Sequence, residues 1–164
     1  MSNPEIREVD WHDPIATELR AAMDRDVGPR YADRFEITDP DRQQELNTAF
    51  AIDPADIAAT FVLFVETRPV AHAALRRLGD EWELKRLVTL PDERGKGYSR
   101  ALIARVEAEV IARGGSRLIL QTGDRQPEAV ALYLRLGYQP IPIYEPYVVF
   151  AESLCFARDL RPAH

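Results

Sequence analysis

Residues 84–115, "LKRLVTLPDERGKGYSRALIARVEAEVIARGG", hold an extended apolar run, a loop with two glycines, and a helix. Leu102, Ile103, Val106 and Val110 recur at helical spacing and predict one buried face for a helix from about Tyr98 to Arg113, stopped by Gly114-Gly115. A strand that enters a glycine-rich loop and then a helix N-terminus makes an anion site. Successive backbone N–H groups converge there, and the helix dipole adds about half a positive charge. Gly95 and Gly97 allow positive φ and close approach of a ligand to the backbone, while Arg94, Lys96 and Arg100 supply full charges. A Walker A loop requires Ser or Thr after its lysine, but Gly97 follows Lys96. A dinucleotide fingerprint requires glycine at position 100, where Arg stands. Neither nucleotide motif holds.

On the C-terminal side, "SRLILQT" (116–122) reads as a buried strand. A helix follows from Pro127, with Ala129, Leu132, Tyr133 and Leu136 directed inward and Gly137 at its end. Two last strands are expected over about 138–144 and 153–159. On the N-terminal side, three extended segments (60–66, 70–78 and 81–90) are separated by turns at Thr67-Arg68-Pro69 and Gly79-Asp80, as in an antiparallel meander. Further upstream lie a first strand, Glu5 to Asp10, and a helix over 13–26 with Asp13 as N-cap and Pro14 at its first position. Ile15, Leu19, Ala22 and Met23 are the expected buried face of that helix. A short helix over 40–50 places Leu46 and Phe50 inward. Strands, helix, strand, helix, strands is the order of an α+β domain with a mixed sheet.

Composition bounds the function. The 164 residues suffice for one domain with a real core, and 46% hydrophobic with 29% charged residues is ordinary for a soluble protein. No run approaches 18 apolar residues, and "MSNPEIREVD" lacks a basic start followed by an apolar block, so neither a signal peptide nor a membrane span is expected. Cys155, the single cysteine, has no disulfide partner and suits a reducing cytoplasm as a buried thiol. The net charge of −6 argues against a nucleic-acid partner, which would demand neutralisation of many phosphates. No His, Cys, Asp or Glu set has metal-ligand spacing, so no metal is expected. His72 sits in an alternating strand as a sheet residue, and His12 and His164 lie near the ends.

The stretch 84–115 together with "LQTGDRQPEAVALYLRLGYQPI" (120–141) resembles the GNAT superfamily of acetyl-CoA-dependent N-acetyltransferases. That family's loop reads Q/R-x-x-G-x-G/A, and its later helix ends A-L-Y-x-x-x-G-F; here the matching residues are Arg94 to Ser99 and "ALYLRLGY" (131–138). Ser99 replaces the last small Gly/Ala, and Gln126 stands where the family often has Asn. The resemblance covers roughly 60–145. It implies one GNAT-like domain over 1–164, with a cofactor-binding core at about 82–137. The implied fold is a mixed, mostly antiparallel sheet of about six or seven strands, splayed at its middle, with helices on both faces.

The same resemblance implies that acetyl-CoA is the co-substrate. Leu87, Val88 and Thr89 would bind pantetheine as a further strand would, with the Val88 N–H on the thioester oxygen. Arg94, Gly95, Lys96, Gly97, Tyr98, Ser99 and Arg100 would hold the pyrophosphate, and Gln126 would contact pantetheine. The expected reaction is direct attack of a primary amine on the thioester. An aliphatic amine of pKa ~10.4 costs roughly 4 to 5 kcal/mol to deprotonate at pH 7, whereas protonating a thiolate of pKa ~8.5 is the smaller demand. Glu83 is the expected base and Tyr133 the expected acid. Acidic residues over about 24–56 (Asp24, Asp26, Asp33, Glu36, Asp39, Asp41) are expected on the acceptor side and suit a cationic small-molecule amine. Two other functions fit the same residues: acetylation of a protein N-terminus or lysine, and a non-catalytic acyl-CoA-binding module. "PIYEPYVVF" (142–150), rich in apolar and aromatic residues, raises the expectation of a homodimer.

Overall fold

The computed structural model describes residues 3–35 and 39–161. Glu36 and His164 lie outside the described residues. The chain runs β1 (Pro4–Val9), α1 (Pro14–Phe35), α2 (Pro40–Phe50), β2 (Ile57–Val65), β3 (Arg68–Leu78), β4 (Glu81–Thr89), α3 (Tyr98–Ala112), β5 (Arg117–Gly123), α4 (Pro127–Arg135), β6 (Gln139–Ile141) and β7 (Ser153–Asp159). Seven strands form one sheet in the order β1-β2-β3-β4-β5-β7-β6. Every neighbouring pair is antiparallel except β4 and β5.

Alternation along β2 shows how the sheet divides its two faces. Phe61 and Leu63 point into the main core with Leu75, Leu102, Val106 and Leu118, under α3 and α4. Val62 and Phe64 point the other way, against Ala16 and Leu19 of α1. The buried face of α3 is the expected Leu102, Ile103, Val106 and Val110.

Two elements, α1 and β6, depart from the sequence reading. Helix α1 continues through Gly28-Pro29 to Phe35. Proline removes a helical hydrogen bond, but the last turns are held from outside by Arg34–Asp124 at 2.5 Å, Arg125–Asp33 at 2.5 Å and Arg30–Glu128. The buried stripe of α1 is also rotated, because Arg20 turns inward to meet His72 at 3.0 Å. Ala16, Leu19 and Arg20 are buried, while Ile15 is 39% exposed. Lastly, β6 is only three residues long, and the chain after it folds back on its own sheet. Tyr147 and Phe150 are buried there, and the Tyr144 hydroxyl reaches Glu83. The aromatic residues that prompted the homodimer expectation thus pack within the chain.

Candidate active site

Strands β4 and β5 pair in parallel over only two positions, Glu83 with Ile119 and Leu84 with Leu120. Beyond that point they diverge and open a cavity of about 830 Å³, a size suited to a small ligand. Leu87, Val88 and Thr89 of β4 line one side, and Gln121, Thr122 and Gly123 of β5 the other.

A bulge shapes the β4 wall. Pairing to β3 shifts between His72 and Ala74, and Arg86 opposite has φ of +56°. The Arg86 carbonyl lies 2.8 Å from His72 Nδ1, and Arg20 Nη1 lies 3.0 Å from His72 Nε2. A guanidinium can only donate, so Nε2 accepts and the proton sits on Nδ1, which donates to the Arg86 carbonyl. Burial lowers the His72 pKa to about 4 and keeps the ring neutral, as this pairing requires. The Arg86 side chain spans to Asp24 at 2.9 Å and to the Arg20 carbonyl at 2.9 Å. His72 is a structural residue that pins the bulge.

After the bulge, backbone direction alternates. The Leu90 N–H donates to Val70 on β3, and the Thr89 carbonyl turns away to accept from Arg94 Nε at 3.3 Å. By that alternation the Leu87 and Thr89 amides face the cleft, and the Val88 amide faces β3. The Val88 N–H, expected to face a ligand, thus points to β3 and not into the cleft. The Val88 side chain packs under α1.

The glycine loop adjoins this edge. Gly95 and Gly97 have φ of +80° and +83°, which side chains rarely adopt. The first helical bond of α3 runs from the Ala101 N–H to the Gly97 carbonyl, so the amides of Tyr98, Ser99 and Arg100 have no partner within the helix. The Thr89 and Ser99 hydroxyls are 2.8 Å apart and tie the strand end to the helix start. Arg94 is anchored to Asp26 of α1 at 2.7 Å. Of the expected loop residues, Arg94, Gly95, Gly97, Tyr98, Ser99 and Arg100 line the cavity. Lys96 does not, and pairs with Glu93 at 2.9 Å.

Tyr133 of α4 lines the cavity, and its hydroxyl forms no hydrogen bond with another described residue. Burial raises its pKa, so the phenol stays protonated. Gln126 lines the cavity at the N-cap of α4, and its Oε1 accepts from Tyr31 at 3.3 Å.

Glu83 lies elsewhere. It is fully buried, absent from the cavity wall, and bound to Arg76 Nη2 at 2.7 Å and the Tyr144 hydroxyl at 2.6 Å. The wall carries Lys85 instead, two residues along the same strand face, hydrogen-bonded to the Tyr147 hydroxyl. Burial lowers the Lys85 pKa to about 8. Tyr31, Phe50 and Phe150 complete the inner end. Sequence reading missed these four. Period-two alternation from Glu83 could have found Lys85, but nothing local marks the aromatic residues, which arrive from three distant segments. Of the acids expected to greet a cationic amine, Asp24, Asp26 and Asp33 each pair with an arginine, Asp39 caps α2, Asp41 has no ion-pair partner among the described residues, and Glu36 lies outside them. Among the described residues no group of three His, Cys, Asp or Glu is placed to hold a metal, and no helix is long and apolar enough to cross a membrane.

Residues 20–138 match the acetyltransferase (GNAT) family, and the chain belongs to it. An IAA acetyltransferase of Azospirillum brasilense is 38% identical over 69 residues, spanning 42% of this chain and 45% of that protein. The chain thus aligns with less than half the length of that relative. A candidate acyl-CoA N-acyltransferase from Klebsiella pneumoniae has a similar structure, with a TM-score of 0.76 at 24% identity over 96% of this chain and 98% of that one. The PaiA N-acetyltransferase of Thermoplasma acidophilum, in complex with coenzyme A, superposes with a TM-score of 0.67 at 15% identity over 96% and 99% of the two chains. At such identities these two structures support the fold.

Proposed function

We propose that this protein transfers an acetyl group from acetyl-CoA to a primary amine of a small molecule. The observation that carries the reading is the continuity of one surface. The unpaired β4 edge at Leu87–Thr89 leads into the Gly95–Gly97 loop and the open amides of α3, and Tyr133 faces the same cavity. A pantetheine arm has the length and alternating amides to pair with that edge as a strand would. Its pyrophosphate meets the loop amides with Arg94 and Arg100, and Gln126 lies alongside.

In this reading the amine attacks the thioester carbonyl, the Leu87 amide holds the developing oxyanion, and Tyr133 donates its proton to the departing sulfur as the C–S bond breaks, then takes one back from solvent. Glu83 is not positioned to receive the amine's proton directly. Each carboxylate on the cavity wall (Asp24, Asp26, Glu93 and Glu128) already has an arginine or lysine partner. The amine's proton therefore leaves to water before the attack.

Calorimetry with CoA, followed by an amine panel read by release of free thiol, tests the reading. At 100 times its Kd, CoA should add about 2.7 kcal/mol to stability. No heat and no thermal shift at millimolar CoA would refute it. CoA binding with no amine acetylated would leave an acyl-CoA-binding module.

A further inference from the structure

Three cations on the cavity wall, the exposed Arg100 and Arg135 and the inner Lys85, have no carboxylate partner among the described residues, and of these only Lys85 belongs to a buried group. Arg86 has Asp24, and Arg94 has Asp26. Lys85 has no carboxylate of its own. Glu83, the acid nearest in the strand, is occupied: Oε1 accepts from Arg76 and Oε2 from Tyr144. The hydroxyl that Lys85 bonds, on Tyr147, also accepts from Arg76 at 3.0 Å. Arg76, Glu83, Lys85, Tyr144, Tyr147 and the Cys155 thiol therefore form a buried group with two cations and one anion. Burial holds the tyrosines and the thiol in their neutral forms by raising their pKa values.

A lone excess cation in a water-poor wall is costly unless something of opposite charge meets it. Lys85 is the one of these groups that lines the cavity. Beside it the wall turns aromatic. Lys85 Nζ lies 4.8 Å from the centre of the Tyr147 ring, which is 5.6 Å from Phe50, and Phe50 is 5.5 Å from Phe150.

We propose that the acceptor carries a carboxylate as well as its amine, seats that carboxylate on Lys85, and lays an apolar body against Phe50 and Phe150. The substrate class is thus an amino acid with a large apolar or aromatic side chain. This rests on the acetyl-transfer reading and narrows its acceptor. A carboxylate there completes the charge of the buried group and gains a charge-assisted hydrogen bond. Conversely, an amine with no carboxylate leaves Lys85 as it is and adds a second cation.

Phenylacetate and neutral phenylacetamide, identical in their apolar parts, are the probes. Calorimetry at pH 7 should show phenylacetate binding at least tenfold more tightly. Lys85→Met, with a cooperative thermal melt, should erase the difference. In the wild type the preference should fall at least severalfold between pH 7 and pH 10, as Lys85 loses its proton, which needs no variant to fold. Thiol release from acetyl-CoA should likewise be faster with phenylalanine than with phenethylamine, by at least tenfold in kcat/KM. Equal binding of the two probes, or a preference that survives Lys85→Met, would overturn the proposal while CoA binding stands. Failure of CoA to bind, seen in its own titration, would overturn the acetyl-transfer reading and the acceptor role with it.

Discussion

The Tyr31 hydroxyl of α1 rests against Gly123 at the end of β5, so closely that a Cβ at residue 123 would lie 2.0 Å from it. The same hydroxyl accepts from the Arg125 amide at 3.0 Å and donates to Gln126. One phenol thereby joins the long first helix to the turn that starts α4. Gly123→Ala must displace the Tyr31 ring and the turn together. The expected outcome is a loss of about 1 to 3 kcal/mol, as for overpacked sites, with weaker CoA binding because Gln126 moves. Urea melts and calorimetry on the variant check both parts. Adding Tyr31→Phe, which removes the clashing oxygen, should recover part of the stability.

Glu83→Gln should be a stability variant before it is a catalytic one. It leaves Arg76 buried without its counter-charge, and breaking such a pair from one side costs about 3 to 5 kcal/mol. Chemical denaturation reads the loss. A double variant, Arg76→Met with Glu83→Gln, should be more stable than Glu83→Gln alone.

Acidification should weaken the fold through His72. The unfolded ring titrates near 6.5 and the folded one at about 4, so between those values the unfolded chain binds the extra proton. The contribution is complete above pH 6.5 and is lost as pH falls toward 4. By pH 5 about 2 kcal/mol of it is lost. Urea melts at pH 7 and pH 5 should show this drop, and His72→Gln should reduce it.

Position 97 separates backbone strain from charge. Nothing lies within 4 Å of a Cβ built there, but φ is +83°. Gly97→Ala should therefore cost only the conformational penalty, about 1 kcal/mol of stability. Gly97→Asp adds a negative charge beside the proposed pyrophosphate and should weaken CoA binding at least tenfold, read by calorimetry. Equal CoA affinity in the two variants would place the phosphates elsewhere.

Most of the architecture was legible in order because its signals are local. The α2 and α3 starts at Pro40 and Tyr98, the meander strands and the inward face of α3 all follow from spacing and turn chemistry. Positions that depend on a distant partner were not legible. Nothing near Glu83 announces Arg76 or Tyr144, and nothing near Asp24 or Asp26 announces the arginines that neutralise them. Helix α1 outlasts its own Gly28-Pro29 because residues 124–128, almost a hundred positions later, supply its anchors. The positive-φ turns of the glycine loop were legible in the sequence, since backbone geometry there is set by Gly95 and Gly97. The aromatic end of the cavity gave no such sign, since Tyr31, Phe50 and Phe150 converge only in the folded chain.

The short seam between β4 and β5 has a mechanical consequence. Two residue pairs join a four-stranded sheet built from the first half of the chain to a three-stranded sheet built from the second. Slow amide exchange should therefore be confined to each half, with the facing edges of β4 and β5 exchanging early in the empty protein. A ligand hydrogen-bonded along that edge acts as a mortar course between two walls. Its arrival should slow exchange at Leu87 and Thr89 most, and make two halves that can part at the seam unfold as one.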